Sequence, residues 1–249
     1  MSKDKIKKFL NNILWLVFTN RCTYCGEFID KDKTLCDDCS ENLPEIKGEK
    51  CRYCGAEKSR CKCKKHKLNF DGITAPFYYE NGIKSAVKRL KFNRKIFLAD
   101  ILSTDMVNAI KTDFSDKSFD FICFVPFSKV QLVTRMYNQS ELLAENISLK
   151  MNVPLKRVLV KLFETKTQHK MSMRNRKGNV FGVYDVKNPE DVKGKTILLV
   201  DDVKTSGSTL DDCATILKIR GAAEVYCAVA AIAGAKPKDK NDENEKTES

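Results

Sequence analysis

The sequence predicts an α/β fold in which a mostly parallel sheet carries helices on both faces, preceded by a small cysteine-rich module. Two observations support this prediction. From residue 69 onward, strand-like runs alternate with segments of helical periodicity, which is typical of parallel sheets. Before that point, most of the chain's 11 cysteines lie between Cys22 and Cys63. A chain of 249 residues is long enough for one ordinary domain and a small module.

The α/β pattern is assigned element by element. Short apolar or alternating runs predict strands at residues 70–79, 119–125, 180–186, 195–200 and 225–231. Helical spacing of apolar side chains predicts helices at residues 83–90, 96–110, 140–151 and 209–220. The runs at 119–125 and 195–200 are nearly continuous in apolar residues, so we expect both strands to be buried.

Four regions follow from these patterns. Residues 1–20 are predicted to form an amphipathic helix that packs on the rest of the protein, with a membrane-surface helix as the alternative. Residues 21–66 hold the clustered cysteines, and residues 67–234 form the α/β domain. Residues 235–249 are almost without apolar side chains, so we expect this tail to be disordered.

The composition, 42% hydrophobic and 31% charged, is typical of a soluble globular protein. No apolar run reaches the roughly 18–20 residues that a membrane span needs. A small-residue cleavage site does not follow the N-terminal apolar stretch, so we expect a cytoplasmic protein rather than a secreted one. In that compartment, cysteines bind metal more often than they form disulfides.

The clustered cysteines form four pairs, three with Cys-x2-Cys spacing and one with Cys-x-Cys spacing. They are Cys22, Cys25, Cys36, Cys39, Cys51, Cys54, Cys61 and Cys63. Four thiolates hold Zn²⁺ in a closed tetrahedral site without a position for catalysis, so the pattern predicts a double zinc ribbon. Pairing of neighbours is the simplest assignment, and spacing alone also permits an interleaved one. The irregular Cys-x-Cys pair leaves the expected zinc count at one or two.

The formal charge of +12 is concentrated in two stretches. One is residues 150–177, with nine Lys or Arg and one acidic residue. The other consists of Lys84, Lys88, Arg89, Lys91, Arg94 and Lys95. These stretches are either solvated surfaces of a lysine-rich protein or a site for phosphates, polyanions or nucleic acid.

Residues 197–210 combine a buried strand, two adjacent carboxylates, a loop of small residues and the start of a helix. Ligands of α/β sheets bind at the carboxyl ends of strands. The loop offers hydroxyls, and Gly207 permits close approach of the backbone amides, which favours a phosphate. The carboxylates of Asp201 and Asp202 suit hydroxyls instead. A ribose that carries a phosphate fits both halves, whereas ordinary helix capping explains only the hydroxyls.

Residues 200–209 resemble the 5-phosphoribosyl-1-pyrophosphate (PRPP) signature of type I phosphoribosyltransferases. From residue 22 to about 233, the chain resembles the ComF family, competence-associated proteins in which a zinc ribbon precedes such a domain. The resemblance rests further on Leu90-Lys91-Phe92, on residues 125–128 and 135–139, and on Thr165, Gln168, Arg176 and Asn179. Two positions depart from the family pattern, because Met136 replaces a Gly and Ser206 replaces a Thr.

The resemblance implies a type I phosphoribosyltransferase-like fold that binds PRPP. Asp201 and Asp202 would hold the ribose hydroxyls, directly or through water on Mg²⁺. Residues 163–179 would form a basic catalytic hood, to which Arg176 belongs. The 5-phosphate would contact Lys204, Thr205, Ser206, Gly207, Ser208 and Thr209. The pyrophosphate loop would consist of Pro126, Phe127, Ser128 and Lys129.

Three functions remain compatible with the sequence. The first is an enzyme that displaces pyrophosphate from PRPP with an unidentified acceptor. The second is a competence factor for DNA uptake that binds single-stranded DNA through its basic stretches and works with a helicase or another DNA-processing protein. The third is a PRPP-sensing regulator, because a fold does not settle an activity.

Overall fold

The computed structural model describes residues 20–61, 63, 68–162 and 183–234. Three sequence predictions lie outside these residues: the N-terminal helix up to residue 19, the tail from residue 235, and the hood at 163–179 with Arg176. Among the described helices, none has the length and apolar character needed to cross a bilayer.

A five-stranded sheet lies at the centre of the domain. Its strands are β1 (Gly72–Thr74), β2 (Phe77–Tyr78), β3 (Phe121–Phe124), β6 (Thr196–Lys204) and β7 (Glu224–Ile232). β6 lies between β3 and β7, and β7 also pairs with β1 and β2, every pair being parallel. A separate antiparallel pair consists of β4 (Leu159–Lys161) and β5 (Tyr184–Val186). The predicted parallel sheet is confirmed.

Helices cover both faces of this sheet, as the sequence predicts. The described α-helices are α1 (Asp37–Glu41) in the cysteine-rich module, followed by α2 (Asn81–Phe92), α3 (Phe97–Asp113), α4 (Lys129–Arg135), α5 (Gln139–Met151) and α6 (Ser208–Ile219). On one face, α2, α3 and α5 bury Leu198 and Val200 of β6. On the other face, α6 packs over Ile197 and Leu199. This alternation arises because successive side chains of a strand point to opposite faces.

Two of the differences from the predicted boundaries affect the sheet. Residues 70–79 form two short strands, because Pro76 lacks an amide donor and interrupts the ladder between β1 and β2. The strand predicted at 195–200 continues to Lys204, since β7 still pairs with it there, Val203 facing Ala231 in the register. The carboxylates of Asp201 and Asp202 therefore belong to the strand itself.

The segment between the two cysteine groups covers the outer edge of β2. The amide of Tyr78 donates to the carbonyl of Pro44 (2.7 Å), and the amide of Ile46 donates to the carbonyl of Pro76 (2.8 Å). An unpaired strand edge is a template for unwanted association, so this contact protects the sheet. It also fixes the cysteine-rich module to the domain.

Candidate functional site

The eight cysteines of the module come together as two groups of four. Within each group the sulfur atoms all lie within 4.8 Å of one another, and the groups are Cys22, Cys25, Cys36, Cys39 and Cys51, Cys54, Cys61, Cys63. This arrangement pairs neighbours along the chain, so it agrees with the simpler assignment and not with the interleaved one.

The geometry of both groups fits zinc. The Sγ atoms of Cys25 and Cys36 are 3.6 Å apart, and so are those of Cys54 and Cys61. A tetrahedron of thiolates about 2.3 Å from Zn²⁺ has edges of about 3.8 Å, whereas a disulfide requires about 2.05 Å. Backbone amides also donate to sulfur, as Glu27 does to Cys25 at 3.4 Å. Each group supplies four thiolates, so these are structural sites.

Helix α2 holds the first zinc ribbon against the domain. Arg89 Nη1 donates to the carbonyls of Thr23 and Tyr24, both at 3.2 Å. Ser85 Oγ donates to the carbonyl of Cys25 at 2.8 Å. Gly82 faces the ribbon so closely that a Cβ there would lie 2.6 Å from Cys39 Sγ. Arg89, which the sequence placed in a basic patch, is thus engaged with the ribbon.

A polar cleft opens where β6 ends and α6 begins. It is open to solvent and is lined by Asp201 and by residues 203–210. Gly207 has φ +86°, a left-handed conformation that glycine adopts without strain. A Cβ at this position would lie 3.1 Å from Lys204 Cε. The structure therefore brings together Asp201 and the predicted phosphate contacts, from Lys204 to Thr209.

The hydroxyls of this loop already organise its backbone. The amide of Ser208 donates to Ser206 Oγ at 3.3 Å, and the hydroxyls of Ser206 and Ser208 are 3.0 Å apart. Both serines are exposed, and α6 starts at Ser208. The first amides of a helix have no intrahelical acceptor, so they and the helix dipole favour an anion in this position.

The two carboxylates occupy different surroundings. Asp201 Oδ1 accepts hydrogen bonds from Ser140 Oγ (2.7 Å) and from the amide of Asp202 (2.8 Å). Burial, together with the negative charge of Asp202, raises the pKa of Asp201 to about 7. Asp202 is also buried, but Lys91 Nζ lies 2.9 Å from its Oδ1. Asp202 is not among the residues that line the cleft, so the predicted pair is divided between two environments.

The predicted pyrophosphate loop lies beside these carboxylates. Its backbone follows β3, and the amide of Val125 donates to the carbonyl of Val200 at 3.0 Å. Ser128 is the N-cap of α4, because its hydroxyl accepts from the amide of Gln131 and its own amide donates to Gln131 Oε1. Pro126 and Phe127 thus form the turn, and Lys129 is the first residue of a helix that the sequence analysis missed.

Two family models match the chain. A phosphoribosyl transferase domain matches residues 137–248, and a double zinc ribbon domain matches residues 13–67. The order of these two matches agrees with the fold and with the two cysteine groups.

Curated relatives extend over most of the chain. Competence protein F of Haemophilus influenzae is 25% identical over 219 residues, covering 84% of this chain and 95% of its own length. DNA utilization protein YhgH of Escherichia coli K12 is 29% identical over 213 residues (83% and 88%). Competence protein ComFC of Bacillus subtilis is 27% identical over 227 residues (83% and 87%). These matches support the resemblance to the ComF family. The chain is similar to competence-related proteins and carries a phosphoribosyltransferase-type domain.

One departure from the ComF pattern now has a structural explanation. Met136 ends α4 in the left-handed region, with φ +65°. A side chain costs roughly 1–2 kcal/mol in this conformation, and glycine avoids the cost. The Gly of the family pattern suits this backbone, and Met136 retains the conformation under strain.

The sequence analysis missed two residues of the site. Lys91 entered it only as part of the Leu90-Lys91-Phe92 resemblance and of a basic stretch, and nothing in the sequence linked it to Asp202. Ser140 appeared only as the start of a helix. Both contacts join residues far apart in the chain, 111 positions for Lys91 (202 − 91) and 61 for Ser140. Strand and helix patterns do not specify such contacts.

Proposed function

We propose that this protein binds PRPP in the cleft between β6 and α6 and acts in the cytoplasm during competence-related DNA uptake. The observation that carries the proposal is the loop at Gly207, whose left-handed backbone turns into the N-terminus of α6 beside the carboxyl group of Asp201. A phosphate fits the loop, and ribose hydroxyls fit the carboxylates. The names of the relatives, competence and DNA utilization proteins, support the cellular role.

The charges of the site assign each part of PRPP to a different group of residues. The 5-phosphate is held by the amides and hydroxyls of residues 205–209, with Lys204 at their N-terminal side. The ribose hydroxyls donate to Asp201 and Asp202, whose oxygens are also the hard donors that Mg²⁺ prefers, so Mg²⁺ would be held here together with PRPP. The pyrophosphate group faces the turn at Pro126 and Phe127. Arg176 and the basic hood neutralise the charge that develops as pyrophosphate departs.

The reaction, if the protein is an enzyme, is displacement at the anomeric carbon of PRPP. The bond from this carbon to pyrophosphate breaks, pyrophosphate keeps the electron pair, and an acceptor nucleophile forms the new bond. This chemistry needs no nucleophile from the protein. A PRPP-sensing regulator would use the same cleft without the second step.

Two measurements separate these functions. Titration calorimetry with PRPP and Mg²⁺ tests binding, with ribose 5-phosphate and inorganic phosphate as smaller ligands. A pyrophosphate-release assay, run with and without single-stranded DNA, tests transfer. Binding without release would assign the cleft to sensing, and the absence of binding would refute the proposed ligand.

Exposed lysines and arginines favour DNA binding as a second function. Lys84, Lys88 and Arg94 are exposed, whereas Arg89 is engaged with the ribbon. We expect single-stranded DNA to bind with a steep salt dependence and to weaken when Lys84, Lys88 and Arg94 are neutralised together. The same affinity in that triple variant at low salt would exclude this surface. A helicase or another DNA-processing protein is the partner that such a function implies.

A further inference from the structure

Lys91 stands out among the charged residues near the carboxylates. Its Nζ lies 2.9 Å from Asp202 Oδ1, and the side chains of Lys91 and Asp202 are only 21% and 10% exposed. An ion pair shielded from water in this way is stronger than one at the surface. The fold thus places a fixed cation beside the candidate sugar site, and the functions above give it no role.

The turn of α2 that carries Lys91 is held by contacts with two neighbouring parts of the fold. Arg89, two residues earlier, donates to carbonyls of the first zinc ribbon. The hydroxyl of Tyr137 donates to the carbonyl of Leu90, and Gln139 Nε2 donates to the carbonyl of Lys91 at 3.4 Å. These contacts fix the backbone of the last turn of α2, and the ion pair with Asp202 holds the Lys91 ammonium beside the carboxylates.

We propose that Lys91 is a positioning residue of this site: its ammonium holds the Asp202 carboxylate in place and supplies the positive charge that lets two adjacent carboxylates receive an anionic sugar phosphate. The inference rests on the proposed function for the identity of the ligand. A carboxylate has about four acceptor sites, so Asp202 retains acceptors for ribose hydroxyls while Lys91 occupies one of them.

The charges around Asp201 explain why such a cation matters. Asp202 on the same strand and Lys91 on α2 act on the pKa of Asp201, and Asp201 in turn acts on the pKa of Tyr184 on β5, Cys213 on α6 and Cys227 on β7. Burial raises the pKa of Tyr184, Cys213 and Cys227, so these three are neutral near pH 7. Asp202 raises the pKa of Asp201, and Lys91 opposes that effect. Among the described residues, Lys91 is the cation paired with Asp202, so its loss leaves the repulsion between the two carboxylates unopposed at Asp202.

The test compares four forms of the full-length, zinc-loaded protein: wild type, Lys91→Met, Lys91→Arg and Lys111→Met. Lys111 on α3 is exposed and belongs to neither the ion pair nor the candidate DNA surface, so its substitution changes the net charge equally without touching the pair. The first measurement is the titration midpoint of the Asp201 carboxyl in the ligand-free protein, by carbon-13 NMR. The second is PRPP affinity by calorimetry at several pH values, and circular dichroism verifies the fold.

We expect Lys91→Met to move the Asp201 midpoint upward and to weaken PRPP binding at pH 7 about tenfold, the effect of losing one charge-assisted contact. Lys91→Arg should restore most of both properties, and Lys111→Met should change neither. An unchanged midpoint in Lys91→Met would overturn the inference, as would a loss in Lys91→Arg equal to that in Lys91→Met. If wild type binds no PRPP, the proposed function fails, and the carboxyl titration alone decides the role of Lys91.

Discussion

The pKa of Asp201 gives the most quantitative prediction about the stability of the domain. Burial and the charge of Asp202 raise it from 3.8 to about 7 in the folded protein. Because the folded protein holds this proton more tightly than the unfolded chain, stability is full below pH 3.8 and falls as the pH rises through 7. Each pH unit between the two values costs about 1.4 kcal/mol, so the whole effect approaches 4 kcal/mol.

Asp201→Asn removes this proton linkage while it preserves the shape of the side chain. We expect the difference in unfolding free energy between variant and wild type to grow in favour of the variant by about 2–3 kcal/mol between pH 5 and pH 8. Urea denaturation at each pH, with zinc present, measures this difference, and effects common to both proteins cancel. Asp116→Asn, at an exposed carboxyl, is the control and should show a nearly constant difference. A flat difference for Asp201→Asn would refute the assignment of a raised pKa to this residue.

Three further predictions concern the ribbons and the helix ends. Elemental analysis of the purified protein should find close to two zinc ions per chain, and a value of one ion would refute the second zinc site. Limited proteolysis should show that chelation unfolds the ribbons before the α/β domain. Arg89→Met should destabilise the attachment of the first ribbon by about 2 kcal/mol, because it removes charge-assisted hydrogen bonds. The control Lys88→Met should leave the denaturation midpoint unchanged. Equal midpoints for the two variants would contradict the role of Arg89 in holding the ribbon. Met136→Gly should stabilise the protein by about 0.5–1 kcal/mol, because glycine relieves the strain of the left-handed backbone by more than it adds to the entropy of the unfolded chain. A lower thermal midpoint for this variant would exclude strain at residue 136.

The sequence predicted the architecture because its signals are local. Near-continuous apolar runs marked β3 and β6, and the carboxylates before the small-residue loop marked the end of the sheet where the cleft lies. The cysteine spacing predicted two groups of four, although only the structure distinguished neighbouring from interleaved pairing. The family resemblance is confirmed by the matches to both domains and to named competence proteins.

Short elements and contacts between residues far apart in the chain could not be predicted from local sequence patterns. Helix α4 is only seven residues long, and its capping box at Ser128 coincides with a turn that the sequence analysis treated as a loop. The antiparallel pairing of β4 with β5 joins strands that are separated by residues 162–183, so no local pattern indicated it. The contacts of Asp201 with Ser140 and of Asp202 with Lys91 depend on how α5 and α2 pack against β6. Local periodicity carries no information about that packing.

Calorimetry with PRPP and Mg²⁺ on wild type, Asp201→Ala/Asp202→Ala and Gly207→Val tests the central claim most directly. The double aspartate variant loses the ribose contacts and keeps the phosphate loop, so PRPP should weaken at least about tenfold while inorganic phosphate changes less. Gly207→Val should abolish binding of both ligands, because its side chain crowds the loop against Lys204. Equal losses for PRPP and phosphate in the aspartate variant would contradict the division between ribose and phosphate contacts. No binding of PRPP to wild type would contradict the assignment of this cleft altogether.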